Sequence, residues 1–344
     1  MIKIIENKLE VLHLQKKWKV AVLGSGSWAT ALVKILTENK RTVNWYIRNK
    51  KNALKIKKNG INPNYLKSLK LKTNRLSIDC NINKIVAEAD VIIVAIPSIY
   101  AFKELNKINI NVSKKIFISA VKGVLPEKMQ ILGSFFNDHF KIPYTQIGVI
   151  SGPCHAEEVS MEKLSYLTLS CASTTNCKVI SKWLKCKYIM VTTSDDITGT
   201  EYAAMLKNCY AIAAGIAHGL GYGDNFMSVL MSNSIREMKK FISSIYEMKR
   251  NINNSEYLGD LLVTGYSSFS RNRKLGVMLG KGYNIKDALL EMNMIAEGYY
   301  GSESASRIKK KFRSDTPILD TVHSIMYKNT NSKKAFKRLE SKLD

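Results

Sequence analysis

The chain has 344 residues, 45% of them apolar and 24% charged, which excludes a wholly disordered protein and gives length enough for two domains with sizeable cores. Its 53 Lys and Arg against 28 Asp and Glu leave a formal charge of +25. These basic residues are scattered and no aromatic-plus-basic motif accompanies them, so they read as a solvated, Lys-rich surface and no nucleic-acid partner is expected. Six scattered cysteines form no Cys-x-x-Cys pair or zinc spacing, which points to a reducing compartment and no metal. Residues 1–18 carry charge throughout and lack the apolar stretch of a secretory signal, and the longest apolar runs are too short to span a bilayer. A soluble, cytoplasmic protein without a membrane span is the expectation.

In chain order, short β-rich runs at residues 19–23 (KVAVL), 43–47 (VNWYI), 91–96 (VIIVAI), 116–120 (IFISA) and 147–150 (IGVI) predict strands. Their near-continuous apolarity, without alternation, is what parallel strands covered on both faces require. Residues 28–39 and 126–136 between them predict helices, the second with Pro126 in its first turn. From about residue 190 the composition turns to Ala, Met, Leu, Lys and Glu, predicting helices at 196–217, 225–248 and 302–311. The fold class that follows is an N-terminal α/β doubly wound parallel sheet followed by an all-α C-terminal domain. The expected boundaries are an N-terminal extension at 1–18, a sheet domain at 19–194, and a helical domain at 195–344 ending in a basic tail.

The first strand runs into Gly24-Ser25-Gly26-Ser27-Trp28-Ala29 and then into a helical pattern, which is Gly-x-Gly-x-x-Ala in strand–turn–helix context. Gly24 permits the tight turn, Gly26 lets backbone approach a pyrophosphate, and Ala29 allows close helix–strand packing. The amides opening the helix then hold the phosphates, which makes the sheet Rossmann-type and the cofactor a dinucleotide. The second strand ends in Arg48-Asn49-Lys50-Lys51 with no acidic residue, so a ribose 2′-phosphate is accommodated there and NADPH is favoured, with NADH as the alternative.

In the second half, residues 202–217 (YAAMLKNCYAIAAGIA) form a helix that is apolar nearly all round, with only Lys207 and Asn208 strongly polar. A buried lysine is rare unless paired or functional, and desolvation lowers its pKa toward the range useful for proton transfer. Lys122 lies just beyond the carboxyl end of a strand, where open α/β sheets bind ligands. Ser270-Arg271-Asn272-Arg273 combines a hydroxyl, guanidinium forks and an amide, a set suited to phosphate. The Gly-Pro turn of Ser151-Gly152-Pro153-Cys154-His155-Ala156 brings backbone close to the same crevice.

The ordered set GSGSWATAL, VAIPS, SAVKG, SGPCHAEEV, LKNCYAIAAGIAHGLGYGDN, GDLLVT and SRNR resembles bacterial NAD(P)-dependent sn-glycerol-3-phosphate dehydrogenase, from about Lys19 to about Ser306. The resemblance implies reversible reduction of dihydroxyacetone phosphate to sn-glycerol 3-phosphate by NADPH or NADH, feeding phospholipid synthesis. It implies Lys207 as general acid/base with Asp260 beside it, and cofactor contacts from Ser27, Trp28, Arg48, Lys122, Ala156, Arg271, Ile295 and Glu297. It also implies substrate contacts from Lys122, Gly152, Lys207, Asp260, Ser270, Arg271 and Asn272. Ala29 stands where the family usually has Gly, Ile295 where Val is common, and residues 202–205 add bulk where glycines usually sit. A homodimer is left open. The competing readings are a two-domain dehydrogenase of another small hydroxy acid and a basic nucleic-acid-binding protein.

Overall fold

The computed structural model describes residues 18–292 and 294–344. The N-terminal extension, as far as residue 17, lies outside the described residues. Eight strands form one sheet: β1 (Val20–Leu23), β2 (Val43–Tyr46), β3 (Leu76–Asp79), β4 (Val91–Val94), β5 (Ile116–Ser119), β6 (Ile147–Ser151), β7 (Ser165–Cys171) and β8 (Ile189–Ser194). Their spatial order is β3-β2-β1-β4-β5-β6-β7-β8. Every neighbouring pair is parallel except β6 and β7, where Gly148 lies opposite Cys171 and Ser151 opposite Thr168.

Successive residues of β1 serve opposite faces. Val20 and Val22 enter one apolar cluster with Leu32 and Trp45, while Ala21 and Leu23 enter another with Ile92 and Phe117. Helices on the sheet's two sides supply the rest: α1 (Ser27–Glu38), α2 (Lys50–Asn59), α3 (Ile82–Ala87), α4 (Ser98–Leu105), α5 (Leu132–Phe140), α6 (Ala156–Ser160) and α7 (Thr174–Leu184). The chain leaves β1 for one edge through β2 and reaches β4 on the other side, so the crevice opens between the carboxyl ends of β1 and β4. Gly24 sits there at φ +119°, and a Cβ on it would lie 2.8 Å from the carbonyl carbon of Ala95.

The remainder is helical: α8 (Ile197–Gly219), α9 (Asp224–Ile245), α10 (Asp260–Tyr266), α11 (Arg271–Gly280), α12 (Ile285–Glu291), α13 (Glu297–Phe312), α14 (Pro317–Tyr327) and α15 (Ser332–Glu340). The basic tail is therefore folded: Phe336 and Leu339 of α15 are buried in the helical core. The 23-residue α8 is the axis of this domain and is buried on nearly every face. Asp196 caps it, accepting from Gly199 N at 2.8 Å. The same carboxylate takes Arg250 Nε at 2.8 Å and the Tyr257 hydroxyl at 2.5 Å, which ties down the π-helical turn Ser255–Gly259 leading into Asp260.

Two expectations are corrected. Residues 126–131 are not helical, because the Leu125 N–H reaches the Gln130 carbonyl at 2.8 Å and Met129 takes φ +52°, so α5 starts only at Leu132. Its N-terminus is capped by the buried Glu201 of α8, which accepts from Gly133 N at 2.9 Å. The sheet also gains three strands. The outer strands β3 and β8 are partly exposed and correspondingly polar, and β7 carries Thr168 and Ser170 because these meet helical-domain partners. Thr168 Oγ1 lies 3.2 Å from Glu256 Oε2, and Ser170 Oγ 2.8 Å from Thr200 Oγ1.

Helix α11 crosses α8 at glycines. A Cβ on Gly215 would collide with the Arg273 carbonyl and sit 2.9 Å from Gly276 Cα, and Gly276 meets the Ile212 carbonyl in the same way. Because both obstacles are backbone, Gly215→Ala must push α11 outward. We expect a loss of about 1–3 kcal/mol in chemical unfolding, with weakened function because α11 carries Arg271 and Asn272. Unchanged stability and activity in Gly215→Ala would show that the crossing yields without cost.

Candidate active site

A cleft of about 910 Å³, solvent mouth included, runs between the carboxyl edge of the sheet and helices α8, α10, α11 and α13. Ser27, Trp28, Lys122, Ala156, Lys207, Ser270, Arg271, Asn272, Ile295 and Glu297 line it. The structure thus brings together most of the residues singled out from sequence. Asp260 and Gly152 stand directly behind the Lys207 wall, and Arg48 stands apart at the end of β2.

Lys207 is 2% exposed and forms an ion pair with Asp260 Oδ1, itself 1% exposed. Ser151 Oγ (3.2 Å) and the Gly152 N–H (3.3 Å) donate to the other oxygen of Asp260. Burial pushes the Lys207 amine down to about 7, with the nearby Lys122 charge acting in the same direction, although Asp260 pulls it up. Burial opposes ionisation of Asp260 as well. The attraction of Lys207 and Lys122 outweighs it and holds that carboxyl below its ordinary value. Lys122 reaches over the Trp28 ring, 5.2 Å from its centroid.

An amide chain aligns this lysine. Asn208 Nδ2 donates to the Lys122 carbonyl at 2.9 Å, and Asn272 Nδ2 donates to Asn208 Oδ1 at 2.9 Å. Asn272 Oδ1 in turn accepts from Gly298 N at 2.9 Å. Asn272 therefore braces three elements as well as lining the cleft, and Ser270 caps α11 by accepting from Arg273 N at 3.2 Å. Arg271 crosses the cleft, donating to Ser27 Oγ at 2.7 Å with Glu157 Oε1 at 3.5 Å. Glu297 is bonded to the N–H (3.0 Å) and hydroxyl of Ser98, and burial raises its carboxyl despite those bonds.

The residues around Gly26 fit a dinucleotide. A Cβ on Gly26 would meet nothing within 4 Å, and this glycine caps α1 without any side-chain hydrogen bond or first-turn acid. That leaves room and free amides for a phosphate. The buried Trp28 Nε1 has no partner. Arg48, with its side chain 61% exposed, is held from one side by Glu104 Oε1 at 3.1 Å, and Glu104 also binds the Tyr46 hydroxyl at 2.7 Å and Lys107 at 2.8 Å. Among the described residues no cluster of three metal-ligating side chains occurs and no helix is long and apolar enough to cross a membrane.

Sequence reasoning missed Glu104, Asn208, Thr264, Phe269 and His155 as site residues. Asn208 carried a signal, standing beside Lys207 as the other polar residue of an apolar helix. Glu104 carried none, because only the fold brings α4 to the end of β2.

Since Asp260 offsets the burial of Lys207, Asp260→Ala leaves a dry lysine that must either keep an unpaired charge or give up its proton. A loss of about 3–5 kcal/mol in chemical unfolding is expected at neutral pH. A loss below about 1 kcal/mol would mean that Lys207 escapes to solvent along its flexible stem.

Comparisons with known proteins agree with this geometry. Residues 19–177 match the model of the NAD-dependent glycerol-3-phosphate dehydrogenase N-terminus, and residues 196–337 match that of its C-terminus. The chain is 32% identical to the glycerol-3-phosphate dehydrogenase [NAD(P)+] of Staphylococcus carnosus, covering 93% of this chain and 97% of that protein. It is 31% identical to the protein of the same name from Fusobacterium nucleatum, over 93% and 96%. The crystal structure of glycerol-3-phosphate dehydrogenase from Coxiella burnetii superposes with a TM-score of 0.86 at 26% identity, covering 94% of this chain and 98% of that one. With both halves matched in order and a shared two-domain architecture, the chain belongs to the NAD-dependent glycerol-3-phosphate dehydrogenase family.

Proposed function

We propose that this protein interconverts dihydroxyacetone phosphate and sn-glycerol 3-phosphate with NAD(P)H, supplying glycerophospholipid synthesis in the cytoplasm. The observation that carries this is the dry Lys207–Asp260 pair at a cleft that has a phosphate cradle at Gly26 on one wall and the Arg271 fork on the other. When bound, the nicotinamide supplies hydride to the ketone carbon and takes it back in the reverse direction. Ser27, Trp28 and the α1 amides would hold its pyrophosphate side, and Ala156, Ile295 and Glu297, which line the same cleft, would complete its contacts.

Lys207 gives its proton to the carbonyl oxygen in reduction and recovers it from the hydroxyl in oxidation. Asp260 fixes the position of Nζ and keeps the amine from losing its proton altogether. Lys122 adds a second positive charge near the developing alkoxide. Arg271 and the amides opening α11, with Ser270 and Asn272, receive the substrate phosphate. That cluster is what separates this reading from dehydrogenases of unphosphorylated hydroxy acids.

The assay is cofactor oxidation with dihydroxyacetone phosphate, followed at neutral pH with NADPH and NADH. Lys207→Met is expected to lower turnover by roughly 100-fold or more while cofactor titration is unchanged. Reduction needs the ammonium, so its kcat/KM falls as pH rises through about 7; oxidation needs the free amine and falls as pH drops below that value. Asp260→Asn removes a charge that raises the lysine, so both limbs move to lower pH. Limbs that stay in place, or a Lys207→Met protein with full turnover, would remove Lys207 from proton transfer.

NADPH is the proposed preference. Glu104 occupies one side of Arg48 only, and Lys107 offsets its charge, so the exposed side of the guanidinium is left for a 2′-phosphate. Arg48→Asp is expected to shift the NADPH-to-NADH ratio of catalytic efficiencies toward NADH by about tenfold or more. An unchanged ratio would show that Arg48 serves only to hold Glu104.

A further inference from the structure

His155 stands at the start of α6 and lines the cleft between Lys122 and Phe269, its ring 6.3 Å from the Phe269 ring centroid. Its Nε2 is sealed from solvent and has no hydrogen-bond partner, a costly arrangement for a buried polar atom unless a ligand completes it. No step of the proposed reaction uses this nitrogen. We propose that His155 is a specificity residue, its Nε2 accepting the hydrogen of the hydroxyl on the unphosphorylated carbon of the ketose phosphate. This rests on the proposed activity and adds the group that reads the substrate's second end.

Three observations assign the direction of that hydrogen bond. The Val263 backbone on α10 favours a proton on the ring, and with Nε2 unpartnered we assign that proton to Nδ1. A proton held on Nδ1 leaves a lone pair on Nε2. Burial, together with the charges of Lys122 and Lys207, pushes the ring down to about 4, so the lone pair persists at neutral pH. A lone pair repels phosphate and accepts from a hydroxyl. With phosphate on Arg271 and the carbonyl oxygen on Lys207, the free hydroxymethyl group is the donor that remains.

The test compares dihydroxyacetone phosphate with hydroxyacetone phosphate, which keeps ketone and phosphate but has methyl in place of hydroxymethyl. The wild type is expected to prefer the first by roughly 10- to 100-fold in kcat/KM, since a site built around a hydroxyl rejects the analogue lacking it. In His155→Leu the preference collapses toward unity, through loss on dihydroxyacetone phosphate alone and mainly in KM, while NADPH titration is unchanged. His155→Phe keeps the ring volume against Phe269 and serves if the leucine variant fails to fold. Equal losses on both ketones, or NADPH affinity falling in step, would assign the nitrogen to phosphate, cofactor or packing and overturn the proposal. A wild type that does not discriminate overturns it too, with the activity left standing. One that reduces neither ketone overturns the activity itself and this inference with it.

Discussion

The site depends on keeping one lysine dry. Lys207 sits at the middle of a helix buried all round, where an isolated ammonium would cost many kcal/mol and a single carboxylate offsets only part of that. A well-packed apolar pair would serve stability as well or better, so the ion pair is explained by what it does to the amine. Burial favours the free amine and Asp260 favours the ammonium. The near balance of the two leaves the group able to exchange a proton at neutral pH. That balance requires Asp260 to be immobile, and the Asp196–Arg250–Tyr257 network that anchors the turn before it provides this.

The two halves of the chain contribute different things to the cleft and are joined by polar links as well as apolar packing. From the sheet come the Gly26 cradle, Lys122 and His155; from the helices come Lys207, Asp260 and Arg271. Glu201 caps α5, Glu256 meets Thr168, Asn208 holds the Lys122 carbonyl, and Glu297 holds Ser98. Each of these joins a charged or amide side chain of one half to backbone or hydroxyl of the other. Such links are directional, so they set the register of the halves as well as their association.

The parts of this arrangement that were legible in the sequence are those with local signatures. Five strands of continuous apolar residues, the Gly-x-Gly turn, and an apolar helix broken only by Lys207 and Asn208 all carry their reasons within a few neighbouring residues. The resemblance to a known family added roles for Asp260 and Glu297 that spacing alone does not assign. The illegible parts have partners distant in sequence. Strands β7 and β8 look polar because Thr168, Ser170 and Thr192 bond across the sheet or to the helical domain. The start of α5 was misplaced because its cap lies 68 residues away on α8. Glu104 was invisible because nothing around it marks the end of β2 as its neighbour.

That last class of residue also explains how the cleft and the nearby end of β2 tolerate their charge. Lys207, Arg271 and Arg48 each have a carboxylate from another element: Asp260, Glu157 and Glu104. A cluster of bare cations in a cleft would repel one another and lower the affinity of the site for its own proton. With carboxylates standing beside them, the cations are held in place before any ligand arrives. The carboxylates differ in how firmly they hold. Asp260 is fully buried and bonded from both sides, which holds it beside Lys207. Glu157 lies at 3.5 Å from Arg271 in a part-exposed position, so a phosphate with better geometry and more charge can take its place. Under the proposed function this gradation sorts the roles: the tight pair tunes a proton, while the loose pair stores a guanidinium until an anion claims it.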